Sequence, residues 1–472
     1  MFIKYKNNIS IIFLTISLFI FGYVFFRAEF IHEGNKFIFY YKYYILSFLL
    51  IVFSFASFFV NKQLKYNIAK FFIFLTILLY SIELVISSNI AIKQLNINFT
   101  LKKYAERLNY KVDKIQPFNN EKFNSHKIFK KKYINLALAI DPYHFVNNSK
   151  LTIMPLSSLS NSKTLHCNEL GYSNFYQTDR FGFNNNDKNW DHDIVDFFIV
   201  GGRFAHGDCV NPSKNISGNI NILTENNSTV LNVGQGGSGP LMSYASLREY
   251  LPKKKTKRVI WIYSESSDLI GNKYNEGLTV ELKNKILNKY LSDINFSQNL
   301  ISKQNEVDKI VFSKMNEMIS SVNNAKKESN LFKFLKFFRT RYEVLKIYNS
   351  MKNNEKILQV LTPQFKEILI KSKKFSIDNN AEFYFVYLTE TNRYNNEKFY
   401  NEKYDYANLI EFIKNNNINL INIHKELFEN HNNPLSLFSP QFNNSTQHYN
   451  EEGYKLVSKA ILKKINDFEN IE

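Results

Sequence analysis

An α/β sandwich carried on three membrane-spanning helices is the architecture the sequence predicts, and three observations predict it. The N-terminal fifth contains three nearly uncharged apolar runs. From about residue 194 short apolar runs alternate with amphipathic stretches, the pattern of a parallel sheet with helices on both faces. Glycine-rich turns follow two of those runs, and ligands of open parallel sheets gather at the carboxyl ends of the strands.

The apolar runs are residues 9–26, 43–60 and 71–92. Each approaches the roughly 18–22 residues a helix needs to cross a bilayer core. A cleaved signal peptide is the alternative for the first, but no small-residue cleavage site follows it and two more runs do. Orientation follows from Lys and Arg in the short loops. Lys4, Lys6, Lys62, Lys65 and Lys70 on one side outweigh Arg27, Lys36 and Lys42 on the other. The N-terminus is therefore expected inside, and the chain after the third run on the far side. The expected location is a bacterial inner membrane, multi-pass, with the C-terminal domain in the periplasm and membrane lipid as partner of the helices. Glu83 lies within the third run. With no second intramembrane charge to pair with, it is expected as a neutral, hydrogen-bonded carboxyl between packed helices.

The net charge of +18 comes from basic residues spread along a chain rich in Asn, Ile, Phe and Tyr, so no nucleic-acid partner is expected. The one dense cluster, Lys253-Lys254-Lys255-Thr256-Lys257-Arg258, reads as a solvated turn before a strand, with anionic lipid headgroups as a second option. The two cysteines, Cys167 and Cys209, fit a disulfide in an oxidising compartment or two buried thiols. No metal site and no cofactor is expected.

Beyond the spans (1–93), residues 94–190 read as an extracytoplasmic lead-in, with 102–114 helical, 134–140 a strand and 167–186 short extended pieces. The main domain is expected over 191–472. Its strands are expected at 195–200, 229–233, 258–263, 382–388 and 418–423, near-continuous apolar runs suited to burial on both faces. A helical insertion at about 272–376 exceeds an ordinary crossover.

Residues 197–210 run Phe-Phe-Ile-Val-Gly-Gly-Arg-Phe-Ala-His-Gly-Asp-Cys-Val. The tight turn, Phe204 and Gly207 stand at the spacing of Gly-Asp-Ser-Phe-x-x-Gly. This block resembles the nucleophile block of SGNH (GDSL-type) esterases, with Arg203 at the position of the attacking serine. The resemblance extends over residues 165–472, and is greatest to a membrane-anchored bacterial group in which Gly-Phe-Asn-Asn, like residues 182–185, precedes the block and Cys-Val-Asn, like residues 209–211, follows it. It implies a flavodoxin-like SGNH hydrolase fold, and ester hydrolysis or acetyl transfer on a cell-surface glycan or lipid.

The same resemblance assigns the remaining positions. Gly237, in Gly-Gln-Gly-Gly-Ser-Gly-Pro, matches the glycine whose N–H binds the oxyanion; the phosphate-binding glycine patterns do not fit this stretch. Ser267, in Ser-Ser-Asp, stands where the family has an asparagine amide donor, and Asp268 is retained. His448 matches the general base, without an aspartate two or three residues before it. His206 is expected as a surface or loop residue. Ser238, Ser264 and Ser266 lie near the same strand ends but off the first turn. An arginine has neither a nucleophilic oxygen nor a titratable lone pair, so the resemblance implies an impaired enzyme. The alternative is a non-catalytic protein that binds a glycan or another anion through Arg203, or that assists envelope assembly.

Overall fold

A computed structural model of the chain describes residues 8–34, 36–107, 145, 151–165, 174–265, 268, 278–324, 330–352, 361–395, 405–439 and 448–470. The chain forms two compact units, Met1–Ala91 with Glu328–Met351, and Ile92–Lys327 with Lys352–Glu472.

The first unit holds α1 (Asn8–Phe25), α2 (Phe37–Ala56) and the start of α3 (Lys62–Arg107). Three stretches, Asn8–Ile31, Phe37–Phe59 and Lys62–Ile92, are long and apolar enough to cross a membrane. Within a bilayer such helices would have no hydrophobic drive toward one another, and close approach and polar contacts would hold them. A row of buried serines does this between α1 and α2. Ser17 and Ser54 hydroxyls lie 2.7 Å apart, and the Ser10 hydroxyl donates to the Ser57 carbonyl. The helix expected at 102–114 is continuous with α3 as far as Arg107; the strand expected at 134–140 lies outside the described residues.

The second unit is built on a short antiparallel ribbon, β1 (Lys163–Leu165) with β2 (Phe175–Gln177), and a five-stranded sheet. The sheet strands are β3 (Ile194–Gly201), β4 (Val230–Asn232), β5 (Lys255–Ser264), β6 (Glu382–Leu388) and β7 (Asn419–Asn422). Their order is β4-β3-β5-β6-β7 and every pairing is parallel. This is the flavodoxin-like order, with its switch point between β3 and β5. All five expected strands are present within a few residues of the apolar runs that predicted them.

Side chains alternate between two cores, as the two-residue period requires. Phe198, Val200, Trp261, Tyr263 and Phe385 face one side, covered by α6 (Pro240–Tyr250), α12 (Pro363–Asp378) and α14 (Tyr406–Asn415). Ile199, Ile260, Ile262 and Val386 face the other. There they meet Ile216 and Ile220 of α5 (Ile216–Leu223) and Tyr454, Val457 and Ile461 of α15 (Glu451–Glu469). The lead-in contributes to the first core through Ile153, Met154, Leu156, Phe183 and Trp190, so its described part packs with the sheet domain.

The helical insertion divides between the units. The second unit keeps α7 (Leu278–Glu281), α8 (Lys285–Ser292) and α9 (Gln304–Asn324). The pair α10 (Asn330–Leu335) and α11 (Phe338–Lys352) falls almost wholly with the N-terminal helices.

Two adjacent charged residues of α6 fasten the loop after α8. Buried Arg248 donates to the carbonyls of Tyr290, Asp293, Ile294 and Phe296. Buried Glu249 accepts from the Tyr290 and Ser297 hydroxyls and the Gln298 and Leu300 N–H groups. Arg248→Met strands four carbonyls and is expected to cost about 3 kcal/mol or more. Arg248→Lys recovers only part, because an ammonium cannot fork over all four. Denaturant midpoints of the detergent-solubilised chain measure both.

Candidate functional site

The site lies at the carboxyl ends of β3, β4 and β5. Strand β3 ends at Gly201, and the chain turns through Gly202 into α4 (Arg203–His206). A Cβ on Gly202 would sit 2.7 Å from the Ser238 carbonyl oxygen, so only glycine lets this turn touch the loop after β4. That contact sets the Gly202 turn, which leads into Arg203, against the loop that carries Gly237. Gly237 has φ +83°, the left-handed region that glycine enters without strain. The Arg203 side chain is partly buried.

His448 is delivered from the other end of the chain. It immediately precedes Tyr449, which bridges to Phe438, and its carbonyl accepts from the Ser439 N–H at 2.9 Å. Asn450 caps α15 through the Gly453 N–H and donates to the carbonyls of Ser436 and Phe438. The imidazole therefore has a fixed base. Its ring packs against Phe204, 5.6 Å between centroids.

Two acid–base features depart from the sequence expectation. A carboxylate does stand beside His448: Asp208 Oδ2 is 3.6 Å from Nε2. This exceeds a direct hydrogen bond but lies within ion-pair distance should the ring take up a proton. His448 Nδ1 faces the Cys209 sulfur at 3.6 Å. Cys209 is disulfide-bonded, so its sulfur can accept but not donate or attack. Cys167, the other cysteine of the chain, lies outside the described residues.

His206 is fully buried rather than at the surface. Its Nδ1 accepts the Gly236 N–H at 2.9 Å, and its ring meets Tyr176 edge-on. Asp208 Oδ1 is 3.4 Å from the same Nδ1. A nitrogen that accepts from Gly236 cannot also donate to Asp208, so the shorter bond sets the tautomer, with the proton on Nε2. His206 thus ties the first turn to the glycine-rich loop, and the apolar surroundings that hold it come from a segment far away in sequence.

Asp268 is buried and accepts the Ser264 N–H at 2.9 Å. Ser266 and Ser267 lie outside the described residues. Glu265, just past the end of β5, pairs with Arg393 of α13 (Thr391–Asn395) at 2.9 Å. It also accepts from the Tyr387 and Thr389 hydroxyls and the Glu390 N–H. This buried ion pair joins the ends of β5 and β6. Burial and the Arg393 charge hold His424 below the ordinary imidazole range.

Behind the glycine-rich loop, the N-terminus of α6 meets an internal carboxyl. Glu281 accepts from the N–H groups of Gly239, Leu241 and Met242. Burial pushes its carboxyl up to about 7 despite those bonds, and Asp268 adds to the rise. A helix N-terminus after a glycine-rich turn is a ready phosphate site; here the chain's own carboxyl fills it. The cavity of about 500 Å³ lined by Phe197, Arg258, Lys459 and Asn466 borders the earlier parts of β3 and β5, away from Arg203.

No protein-family model matches the chain, and no curated protein matches it. Among solved structures, it is similar to a "putative lipolytic protein of G-D-S-L family from Desulfitobacterium hafniense DCB-2". The identity is 12%, over 58% of this chain and 99% of that one, with a TM-score of 0.29.

Proposed function

We propose that this chain is a membrane-anchored SGNH/GDSL-like protein with its α/β domain in the periplasm. Ester hydrolysis or acetyl transfer is impaired, and the remaining cleft binds an acidic cell-surface glycan. The observation that carries the reading is the group on the first turn after β3. Arg203 begins α4 directly after the Gly202 turn, where an attacking hydroxyl would need to be, and a guanidinium cannot attack. The neighbouring sulfur, Cys209, is held in a disulfide. In a Ser-His-Asp arrangement one imidazole nitrogen faces the nucleophile and the other the acid. Here the two nitrogens face Asp208 and the Cys209 sulfur.

The binding half of the proposal rests on charge and place. Arg203 is a cation at the switch point of the sheet, and guanidinium matches carboxylate geometry. Oligogalacturonate is the probe, titrated against the purified full chain in detergent. Binding is expected to weaken several-fold between about 0.05 and about 0.5 M salt and to be lost in Arg203→Ala. The native chain is expected to hydrolyse p-nitrophenyl acetate no faster than His448→Ala. Turnover by the native chain that His448→Ala abolishes would overturn the impaired-enzyme reading; binding indifferent to Arg203→Ala would overturn the anion-binding one.

A further inference from the structure

The two short helices α10 and α11 belong in sequence to the insertion of the α/β domain, yet they pack on the N-terminal helices. Tyr80 of α3 stacks on Phe334 and meets Phe337 with centroids 4.4 Å apart, and its hydroxyl donates to the Leu335 carbonyl. Glu83, one turn on, is buried and accepts from the Arg339 and Thr340 N–H groups and the Thr340 hydroxyl, at 3.2, 2.8 and 2.7 Å. The carboxyl therefore caps the N-terminus of α11, where backbone donors and helix dipole both favour a negative group. Lys336 lies over the Tyr23 ring, and Arg341 donates to the Tyr43 hydroxyl. Tyr23 is near the end of α1 and Tyr43 near the start of α2. All these contacts thus lie toward one side of the helices, the side of the α1–α2 loop.

The pair leaves large apolar side chains exposed. Leu331 is 66% exposed, Val344 59% and Ile347 57%. Phe71, Phe74 and Leu84 on α3 are exposed to the same degree, 60–66%. Residues 330–352 also carry Lys333, Lys336, Arg339, Arg341, Lys346 and Lys352 against the single acid Glu343. Apolar side chains mixed with Lys and Arg on a short helix are the marks of a segment lying in a membrane interface, and the charge suits anionic headgroups.

We infer that residues 330–352 form an in-plane membrane element: the α/β domain sends a basic, apolar helix pair into the lipid interface beside its own spans, where Glu83 clamps it. The occupant of the exposed side chains is the bilayer, because the pair packs on helices long and apolar enough to cross a membrane and sets exposed apolar side chains among Lys and Arg. The inference rests on the membrane reading of the three helices, and the test separates the two.

Single cysteines for a fluorescent label, Ile347→Cys, Leu331→Cys and Phe74→Cys, are placed in the full chain, whose native cysteines stay unreduced. The chain is reconstituted in nanodiscs of phosphatidylglycerol and phosphatidylcholine. Nitroxide on the lipid acyl chains is expected to quench the labels at 347 and 331 at least half as strongly as the label at 74, with aqueous iodide quenching them weakly. Glu83→Leu is expected to shift the 347 label toward iodide. Lipid quenching at 74 with iodide quenching at 347 and 331 would overturn this inference alone. Protection of 347 and 331 from both quenchers would overturn it in favour of a protein cover. Absence of lipid quenching at all three positions would overturn the membrane reading with it.

Discussion

Arg203→Ser combined with Ser267→Asn is expected to raise acetyl-ester turnover at least about a hundredfold over the native chain, a partial recovery of the roughly six orders of magnitude that loss of a nucleophilic serine removes. The turn is already built. Gly202 holds the loop after β4 in contact, His206 bonds the Gly236 N–H to fix that loop relative to α4, and Gly237 keeps its left-handed conformation. A serine hydroxyl at 203 would stand on the same first turn as the group it replaces, with the backbone N–H groups of 203 and 237 as the expected oxyanion donors. The imidazole needs no new support, because the bridge from Tyr449 to Phe438 and the Asn450 cap hold it. The measurement is turnover of p-nitrophenyl acetate by the full chain, with His448→Ala added as a third change. A folded double variant without gain, or a gain that survives His448→Ala, would sink the assignment of this edge as a remnant esterase site.

The sheet was legible because its strands are buried on both faces and read as unbroken apolar runs. Runs such as Phe197–Val200 and Phe383–Leu388 leave little other solution, and each of the four parallel pairings includes one of the two strands they form. The three N-terminal helices were legible for the same reason, uniform apolarity over sufficient length.

The polar interior was not legible, because a buried charge is defined by a partner that sequence distance conceals. Glu83 read as a carboxyl without a charged partner, and its donors turned out to be backbone groups more than 250 residues away. His206 was expected as a surface or loop residue; it is buried in α4 instead, against Tyr176 and the Gly236 loop. The carboxylate beside His448 was sought just ahead of it in sequence and stands instead at Asp208. Periodicity carries no signal for any of these, whereas the Glu265–Arg393 pair at least had a weak one, since charges at the ends of two apolar runs must be satisfied where the strands lie side by side.

Glu281 supplies the second large effect, a stability that falls as pH rises through neutrality. Its carboxyl is held near 7 in the folded protein against 4.5 for an exposed group. A folded-state value above the unfolded one means the folded form binds the proton more tightly. The stability so contributed is fully present below about pH 4.5 and is lost as pH rises through about 7, on the order of 3 kcal/mol across the window. Other groups titrate in the same range, so the native chain must be compared with Glu281→Gln. The amide keeps an oxygen for the Gly239 and Met242 N–H groups but turns a donor or loses a bond at Leu241. It cannot ionise. Glu281→Gln is therefore expected to be the less stable protein at pH 5, by about 1 to 2 kcal/mol, and to draw level with or pass the native chain by pH 8. Glu281→Ala leaves three N–H groups facing a void, and is expected to be less stable than native at both pH values. Denaturant midpoints of the three proteins in detergent at pH 5 and pH 8 give the comparison. A constant difference between native and Glu281→Gln across that range would show that the carboxyl does not change charge there, and that the N-terminus of α6 behind Gly237 is held by an anion already formed in acid.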